Sequence, residues 1–310
     1  MLDLRRLRLL RELSARGTIG AVASALDYSP SAVSQQLALL EREAGVPLLE
    51  RAGRNVRLTA AAQTLVGHAD ALLARVEEAE ADLHAAAEQI TGTVRVAAIQ
   101  SPGLYLLAPA LRRLAVEHPA LRVEVTDLEP EASLPALALG TLDLVVADQY
   151  PFLPRAPDDR LDIEPLLDEQ FHLVLAHDHP LAADGGPVPL AALKDEPWAT
   201  GKVDSLFAEL TIRACRALAG FEPDIRHRSN DLLFLLALVG SGQSVTLLPD
   251  LVRADRDPLV VTRDVAEARL TRTVFGAIRH GSARRPALNA LRAALREKAV
   301  ELRSAARPGP

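Results

Sequence analysis

The sequence has one cysteine, Cys215, and aromatic residues make up only 3% of it. A single cysteine excludes a disulfide framework and any zinc or iron–sulfur site built from cysteines. The longest apolar run, Leu232–Val239, is far shorter than the roughly 20 residues that span a bilayer. The N-terminal stretch is rich in arginine and lacks the apolar core of a signal peptide. We therefore expect a cytoplasmic protein with no membrane contact.

The chain has 310 residues, of which 49% are apolar and 25% charged, as in a soluble protein of two or three domains. Its net charge of −6 is unevenly distributed. Residues 1–58 contain nine arginines and six acidic residues, whereas residues 59–90 contain one arginine and six acidic residues. The rest of the chain has 25 basic and 29 acidic residues. The only basic segment is the N-terminal one, which indicates a separate function there.

The apolar spacing in residues 1–45 predicts three short helices. Thr18 is the expected N-cap of the second helix, and Ser29, followed by Pro30, is the expected N-cap of the third. The third helix would bury an apolar stripe and end at Gly45. Its opposite face is small and polar near the N-terminus, a shape that suits a DNA groove. That face carries Ser31, Ser34, Gln35, Ala38 and Arg42.

Two short extended runs follow, around a turn that contains Gly53, and this pattern predicts a β-hairpin. The hairpin carries three arginines within seven residues: Arg51, Arg54 and Arg57. A helix-turn-helix followed by a basic hairpin is a winged helix-turn-helix. We therefore expect residues 1–58 to form a DNA-binding domain of this type.

The apolar pattern of residues 59–90 predicts a linker helix with a coiled-coil seam. The seam recurs at steps of four and three over more than three heptads, and it consists of Leu65, Ala69, Leu72, Val76, Ala79, Leu83, Ala86 and Ile90. We interpret it as a surface for homodimer formation. The alternative is a single amphipathic helix that packs on its own chain.

Strand-like and helix-like segments alternate from Gly92 onward, which predicts an α/β fold with a mostly parallel sheet. The expected strands are Thr93–Ile99, Leu121–Thr126, Leu142–Ala147, Phe171–Ala176, Asp224–His227, Ser244–Leu247 and Arg272–Ile278. The clearest helices are Leu106–Glu117, Leu206–Ala219, Asp231–Ser241 and Pro286–Leu302.

Two connections divide this part of the chain into two lobes with a cleft between them. They are the proline-rich segment Tyr150–Asp159 and the charged segment Thr262–Thr271. We expect an effector-binding domain at residues 91–303, followed by a disordered tail at 304–310. The first lobe would span about 91–150 and 272–303, and the second about 160–263.

The recognition helix of a helix-turn-helix presents its N-terminal side chains to base edges in the major groove. The expected DNA contacts here are Ser29, Ser31, Ala32, Ser34 and Gln35. Gln35 suits a bidentate pair with adenine, and the three arginines of the hairpin suit phosphates or the minor groove. The alternatives are helix capping or solvation for the serines, and a solvated cluster for the arginines.

Ligands of open α/β sheets bind beyond the carboxyl ends of the strands. We expect a small-molecule effector to contact the residues at those ends: Gln100, Ser101, Asp127, Asp148, Thr200, Gly201, Asn230 and Asp231. The helix that starts near Pro102 favours a carboxylate, and the two aspartates after the strands favour a cationic or hydroxyl-bearing group. The alternative is that these residues are helix caps and turn residues.

The sequence shows no nucleotide-binding glycine pattern and no spacing typical of a nucleophilic catalytic set. We expect no cofactor, no metal and no enzymatic activity. The spacing of His172, His177 and His179 resembles that of metal ligands, but a strand end explains it better. Cys215 has apolar neighbours and is expected to pack in or near the core.

The sequence resembles the LysR-type transcriptional regulators. The resemblance covers about residues 1–303. It rests on Gly17–Ala23, Tyr28–Glu41, Gly45–Arg51, Val56–Thr59, Leu142–Val145, His179–Leu181, Glu196–Trp198 and Leu248–Pro249. It implies a winged helix-turn-helix, a dimerising linker helix and a two-lobed effector domain similar to periplasmic binding proteins. It also implies promoter DNA as a partner and homodimers that commonly pair into tetramers.

The sequence departs from the family pattern at four positions: Ser31, Gln35, Leu49 and Ala62. The family usually has proline, a basic residue, phenylalanine and glycine there. The change at Gln35 puts the base preference in doubt, though not DNA binding itself. The alternative functions are a cytoplasmic small-molecule receptor without a DNA function and an enzyme that uses the cleft, which the absence of a catalytic set disfavours.

Overall fold

The structure is a computed structural model that describes residues 1–53, 55–85, 90–154 and 157–306. Arg54, predicted to contact DNA, and Ala86 of the predicted seam lie outside the described residues. Residues 307–310, the end of the predicted tail, also lie outside them.

The N-terminal part is a three-helix unit followed by a hairpin. The helices are α1 (Leu4–Arg16), α2 (Ile19–Leu26) and α3 (Pro30–Ala44), and the hairpin strands are β1 (Leu49–Ala52) and β2 (Asn55–Leu58). The Thr18 and Ser29 side chains accept backbone N–H bonds from Ala21 and Ala32, which confirms both predicted N-caps. The left-handed Gly45 ends α3 as expected.

Glu41 fixes the hairpin to α3. One carboxylate oxygen of Glu41 accepts the backbone N–H groups of Leu48 at 2.8 Å and Leu49 at 2.9 Å. Thr59, just after β2, accepts from Ala62 at 3.1 Å and so caps the next helix. The recognition helix, the wing and the linker helix are therefore joined by side-chain bonds within about twenty residues.

The linker helix α4 (Ala60–Ala85) divides the predicted seam in two. Leu65 and Ala69 pack on the core of the N-terminal unit. Leu72, Val76 and Leu83 are exposed in the single chain, at 46%, 36% and 75%. The first half of the seam thus packs on its own chain, and the second half leaves apolar side chains uncovered.

The C-terminal part contains a seven-stranded sheet in the order β10-β6-β11-β5-β3-β4, with β9 also paired to β6. Its strands are β3 (Gly92–Ala98), β4 (Leu121–Asp127), β5 (Leu144–Gln149), β6 (Leu161–Ala176), β9 (Thr246–Pro249), β10 (Val260–Arg263) and β11 (Leu270–Arg279). A separate parallel pair is formed by β7 (Pro197–Thr200) and β8 (Asp224–Arg228).

The large sheet is mixed, so the expectation of a mostly parallel sheet was wrong. Only the pairs β3–β4 and β3–β5 within it are parallel. The chain leaves the first lobe along β6 and returns along β11, and two neighbouring strands that cross in opposite directions must be antiparallel. The alternation pattern did not reveal this, because β6 and β11 are far apart in sequence.

The helices of this part surround the sheet. A helical segment at 100–117 comprises α5 (Gln100–Pro102), a π-helical turn (Gly103–Leu107) and α6 (Ala108–Glu117), and it is followed along the chain by α7 (Pro130–Ala138), α8 (Leu206–Ala219), α9 (Leu232–Gly240) and α10 (Pro286–Ala306). Because α10 continues to Ala306, the first three residues of the predicted disordered tail are helical. The alanines there have the highest helix propensity.

Each lobe has its own apolar core. Leu166 and Leu167 of β6 belong to the core of the first lobe, whereas Phe171 and Leu173 belong to that of the second. The second lobe, expected from about residue 160, therefore begins about ten residues later. The early half of β6 escaped prediction because it is polar: Glu164 pairs with arginines of α10. Within the described residues, no helix is long and apolar enough to cross a bilayer.

Candidate nucleic-acid interface and interlobe cleft

The N-terminal half of α3 presents a small polar surface. Ser29, Ser31, Ser34 and Gln35 are exposed, and Ala32 is half-buried. The Ser29 and Ser31 hydroxyls are 3.0 Å apart, and the Ser34 hydroxyl donates to the Pro30 carbonyl at 3.0 Å. In the described part of the chain, the Gln35 amide has no hydrogen-bond partner. Gln35 is therefore the side chain of this face best placed to read a base.

The wing arginines differ in their partners. Arg57 lies opposite Glu50 in the hairpin and donates from Nε to its carboxylate at 2.6 Å. Arg51 lies opposite Val56, and no carboxylate of the described residues pairs with it. The charge of Arg57 is thus partly neutralised, which leaves Arg51 as the stronger candidate for a phosphate contact.

Residues of both lobes line a partly open cavity of about 30 Å³, enough for roughly two water molecules. Four predicted effector residues line it: Gln100, Ser101, Asp148 and Asn230. The sequence interpretation missed the other lining residues, among them Glu129, Tyr150, Phe207 and Arg272. The structure therefore brings half of the predicted set together and adds a cation and a carboxylate to it.

Arg272 is the centre of a buried polar network. Its guanidinium is 2.9 Å from Asp148, 2.5 Å from Glu169 and 2.7 Å from the Ser101 hydroxyl. Burial alone would lower the pKa of Arg272, but the two carboxylates raise it above its ordinary value. The Tyr150 hydroxyl donates to Asp148 at 2.9 Å. The guanidinium is therefore permanently charged, and the network holds the floor of the cleft in one geometry.

Gln100 bridges the two lobes. Its amide nitrogen donates to Asp231 at 2.8 Å, and its amide oxygen accepts the N–H of Leu232 at 2.6 Å. Asp231 also accepts the N–H groups of Leu233 and Phe234. The hydrogen bond from Gln100, together with these two backbone bonds, holds the pKa of Asp231 below its ordinary value. The first turn of α9 is thus capped by one residue from each lobe.

Glu129 faces the same cavity from the start of α7. Burial raises its pKa to about 7, and the neighbouring Asp148 adds to the rise, while the Asn230 side chain of the other lobe opposes it. In the described part of the chain, no cation is paired with this carboxylate. Glu129 is consequently a half-buried acid whose ionised form is poorly stabilised in the closed cleft.

Four predicted effector residues do not line the cavity. The Thr200 hydroxyl bonds that of Thr211 at 2.8 Å, and Gly201 packs against Ser205, where a side chain has no room. Asp127 is exposed at the end of β4, and Asp231 caps α9. Asn230, which lines the cavity next to Asp231, also lies close to Gly201, because its side-chain oxygen accepts the N–H of the following residue, Lys202, at 2.8 Å.

The missed residues had weak sequence signals. Arg272 is a charged residue at the start of an otherwise apolar strand, and an unpaired charge is costly there. Glu129 precedes Pro130, the typical first residue of a helix. Both signals indicate a special environment, but neither identifies the partner that the fold supplies.

His172 and Cys215 have structural explanations. His172 lies between Asp250 at 2.7 Å and Asp264 at 2.9 Å, and the Asp250 bond raises its pKa. No cluster suited to a metal ion occurs among the described residues. Cys215 is fully buried in the second lobe, and burial raises its thiol pKa to about 12. A thiol with such a pKa is unreactive at neutral pH.

Two protein-family models match separate parts of this chain. Residues 4–63 match the bacterial regulatory helix-turn-helix protein, lysR family. Residues 87–300 match the LysR substrate binding domain. The first match covers the helices and the wing, and the second covers both lobes of the cleft.

The chain is also similar to individual proteins over its whole length. It is 30% identical to the HTH-type transcriptional regulator MetR of Escherichia coli strain K12, over 99% of this chain and 95% of that one. It is 29% identical to a probable hydrogen peroxide-inducible genes activator of Streptomyces viridosporus, over 90% and 89%. A full-length OxyR variant from Pseudomonas aeruginosa has the same fold, with a TM-score of 0.68, 23% identity and coverage of 96% and 98%.

Proposed function

Because the chain belongs to the LysR family of transcriptional regulators, we propose that it binds promoter DNA through α3 and the wing. Gln35 would contact base edges, and Arg51 and Arg57 would contact phosphates; Arg54 is proposed as a contact from the sequence alone. Ser29, Ser31, Ala32 and Ser34 would fit the helix to the groove. The observation that carries this assignment is the unpartnered Gln35 amide on the exposed N-terminal half of α3.

We propose that three segments of the chain have separate functions. Residues 1–58 bind DNA, residues 59–90 link and dimerise, and residues 91–303 bind the effector. The uncovered Leu72, Val76 and Leu83 support a homodimer through α4. A dimer doubles the basic surface and matches a two-fold symmetric site, and pairs of dimers would form tetramers. The protein would act in the cytoplasm, with no catalytic role.

The cleft would sense a small molecule. Gln100 and Glu129 of the first lobe both contact the second lobe, so the closed arrangement is held by bonds that an effector can replace. An effector changes DNA binding only if its affinity differs between two arrangements of the protein. The interlobe bonds supply such a difference, because they exist only when the lobes are closed.

Fluorescence anisotropy with a labelled duplex from the region upstream of the protein's own gene tests the DNA assignment. Arg51→Ala should weaken binding to every duplex and reduce the salt slope by about 1. Gln35→Ala should weaken binding to this duplex by about 1–3 kcal/mol and leave binding to an unrelated duplex unchanged.

The matched control is Arg122→Ala. Arg122 is exposed to the same extent as Arg57, at 74%, and also pairs with a glutamate on a strand, but it lies in the effector domain. Its loss should leave the affinity for DNA unchanged. If full-length protein does not bind the duplex at low salt, with and without metabolite extract, a small-molecule receptor without a DNA function becomes the better interpretation.

A further inference from the structure

The cavity between the lobes has an excess of negative charge. The carboxylates of Glu129 and Asp148 line it, and Arg272 is the only cation of its lining among the described residues. A third carboxylate, Glu169, contacts Arg272 from behind. A ligand that enters this cleft therefore meets a negative potential unless Arg272 is available to it.

Arg272 is not available. Its side chain is only 4% exposed, two carboxylates and the Ser101 hydroxyl occupy its N–H groups, and it lies 5.5 Å from the centre of the Phe171 ring. Removing a partner from a buried pair costs several kcal/mol. An anionic ligand would have to displace Asp148 or Glu169 to reach the guanidinium.

The backbone donors that attract anions are also occupied. The N-terminus of α9 points its first N–H groups toward the first lobe, and such groups are the usual anion site of a helix. Here Gln100 accepts the N–H of Leu232, and Asp231 accepts those of Leu233 and Phe234. The closed cleft thus offers an anion no free donor of this helix.

Glu129, unlike Arg272 and the N–H groups of α9, is available to a ligand. Its carboxylate is half-buried and has no cationic partner among the described residues, and it faces Asn230 of the other lobe across the cavity. Leu206 and Phe207 of the second lobe provide an apolar wall in the same cavity. A carboxylate beside an apolar wall suits a ligand with a cationic head and a short apolar body.

We propose that the effector is a small organic cation, a primary amine or guanidine, that binds Glu129 with its charged head and Leu206 and Phe207 with its apolar body. This inference rests on the cleft being the effector site, as proposed above. It specifies the chemical class of the effector and the side chain that selects for it. Binding would separate Glu129 from Asn230, which lines the cavity from the other lobe, and so act on the contact between the lobes.

Matched ligand pairs test the charge preference in full-length protein. Phenethylamine and 3-phenylpropionate share an apolar body and differ in the charge of the head, as do pentylamine and hexanoate. The amines should raise the Tm of the protein in proportion to the logarithm of their concentration, because they bind the folded state. The carboxylates should leave the Tm unchanged.

Variants then test the assigned residue by calorimetric titration with phenethylamine. Glu129→Gln should lower the affinity about tenfold or more, because it removes the charge and keeps the shape. Glu222→Gln is the control, since Glu222 is an exposed carboxylate, paired with Arg216, that follows the C-terminal end of α8, whereas the cavity is lined from the N-terminal end of that helix. It should bind the amine as the wild type does.

Three results would overturn the proposal: stabilisation by the carboxylates as strongly as by the amines, no stabilisation by either amine, or unchanged amine affinity in Glu129→Gln. Anisotropy with the upstream duplex, measured on the same preparations, is independent of these results. Loss of the charge preference with intact DNA binding contradicts only the effector class. Absent DNA binding contradicts the proposed function itself.

Discussion

Arg279, the last residue of β11, forms a hydrogen-bonded ion pair with Glu77 in the linker helix α4. Its Nε is 2.9 Å from both carboxylate oxygens of Glu77, and its Nη2 is 2.6 Å from one of them. The same guanidinium donates to the Leu137 carbonyl at 3.0 Å. Arg11 of α1 reaches the Leu139 carbonyl at 2.8 Å. The first lobe is therefore tied to both the linker helix and the DNA-binding unit of its own chain.

Arg279→Ala should loosen this junction. Arg279 and Glu77 are only 12% and 18% exposed, so removal of the arginine leaves a largely buried carboxylate unpaired and destabilises the protein by about 3 kcal/mol. We expect a lower Tm and faster hydrogen exchange in the middle of α4. Arg75→Ala removes an arginine of the same helix that is 79% exposed and should change stability by less than about 0.5 kcal/mol. Equal exchange in both variants would show that the pair does not hold the junction.

Leu83→Glu should convert dimers to monomers. Leu83 is 75% exposed in the single chain, so its substitution spares the fold but places a charge in the proposed apolar seam. Sedimentation velocity measures the change in mass. Arg75→Glu introduces the same residue at a similarly exposed position off the seam and should remain dimeric. A dimeric Leu83→Glu protein would exclude this part of α4 from the interface.

Glu129 should make stability depend on pH. Its pKa is about 7 in the folded protein against 4.5 ordinarily, so between these values the folded state binds a proton that the unfolded state has lost. Stability therefore falls as pH rises from about 4.5 to about 7 and is constant above that range as far as Glu129 is concerned. The groups that share its surroundings are Asp127 on β4, Glu131 on α7, Asp148 on β5, Arg272 on β11 and Asn230 of the second lobe.

Glu129→Gln isolates this effect, because the amide does not titrate. Thermal unfolding from about pH 5 to pH 8 should show the Tm of the wild type falling relative to that of the variant up to about pH 7. Other groups, such as His172, contribute equally to both proteins and cancel in the difference. A constant difference in Tm across the range would mean that Glu129 titrates near its ordinary value.

Cys215 should not act as a peroxide sensor. Its thiol is buried, with a pKa of about 12, so almost no thiolate is present at neutral pH. Native protein should react negligibly with an aromatic disulfide reagent, while denatured protein releases one equivalent of thiolate. Hydrogen peroxide should leave the affinity for the upstream duplex unchanged. Rapid reaction of the native thiol would show that the second lobe opens around it.

Local features could be predicted from the sequence. The caps at Thr18 and Ser29 depend on an oxygen and an N–H group three residues away, so the sequence contains both partners. Gln100 and Ser101 follow β3, Asp148 lies near the carboxyl end of β5, and the carboxyl ends of parallel strands meet at one edge. Their convergence follows from the topology of that half of the domain.

Long-range features could not be predicted. Arg272 is 103 residues from Glu169 and 124 from Asp148, and nothing local selects these partners. The polar half of β6 resembles a loop, since its charges are neutralised by arginines of α10 more than a hundred residues away. Pro165 in the same strand is accommodated by a register shift opposite Val274 and Phe275, which a single sequence does not reveal.

The Gln100 bridge has a kinetic consequence. The cavity has a volume of about 30 Å³ and is lined by Gln100, so we expect a larger metabolite to bind only after Gln100 releases Asp231 and the backbone of α9. Association must then proceed through a slower unimolecular opening step. The observed rate of effector binding should level off at high effector concentration. The plateau would equal the rate constant for release of the Gln100 side chain from Asp231 and α9.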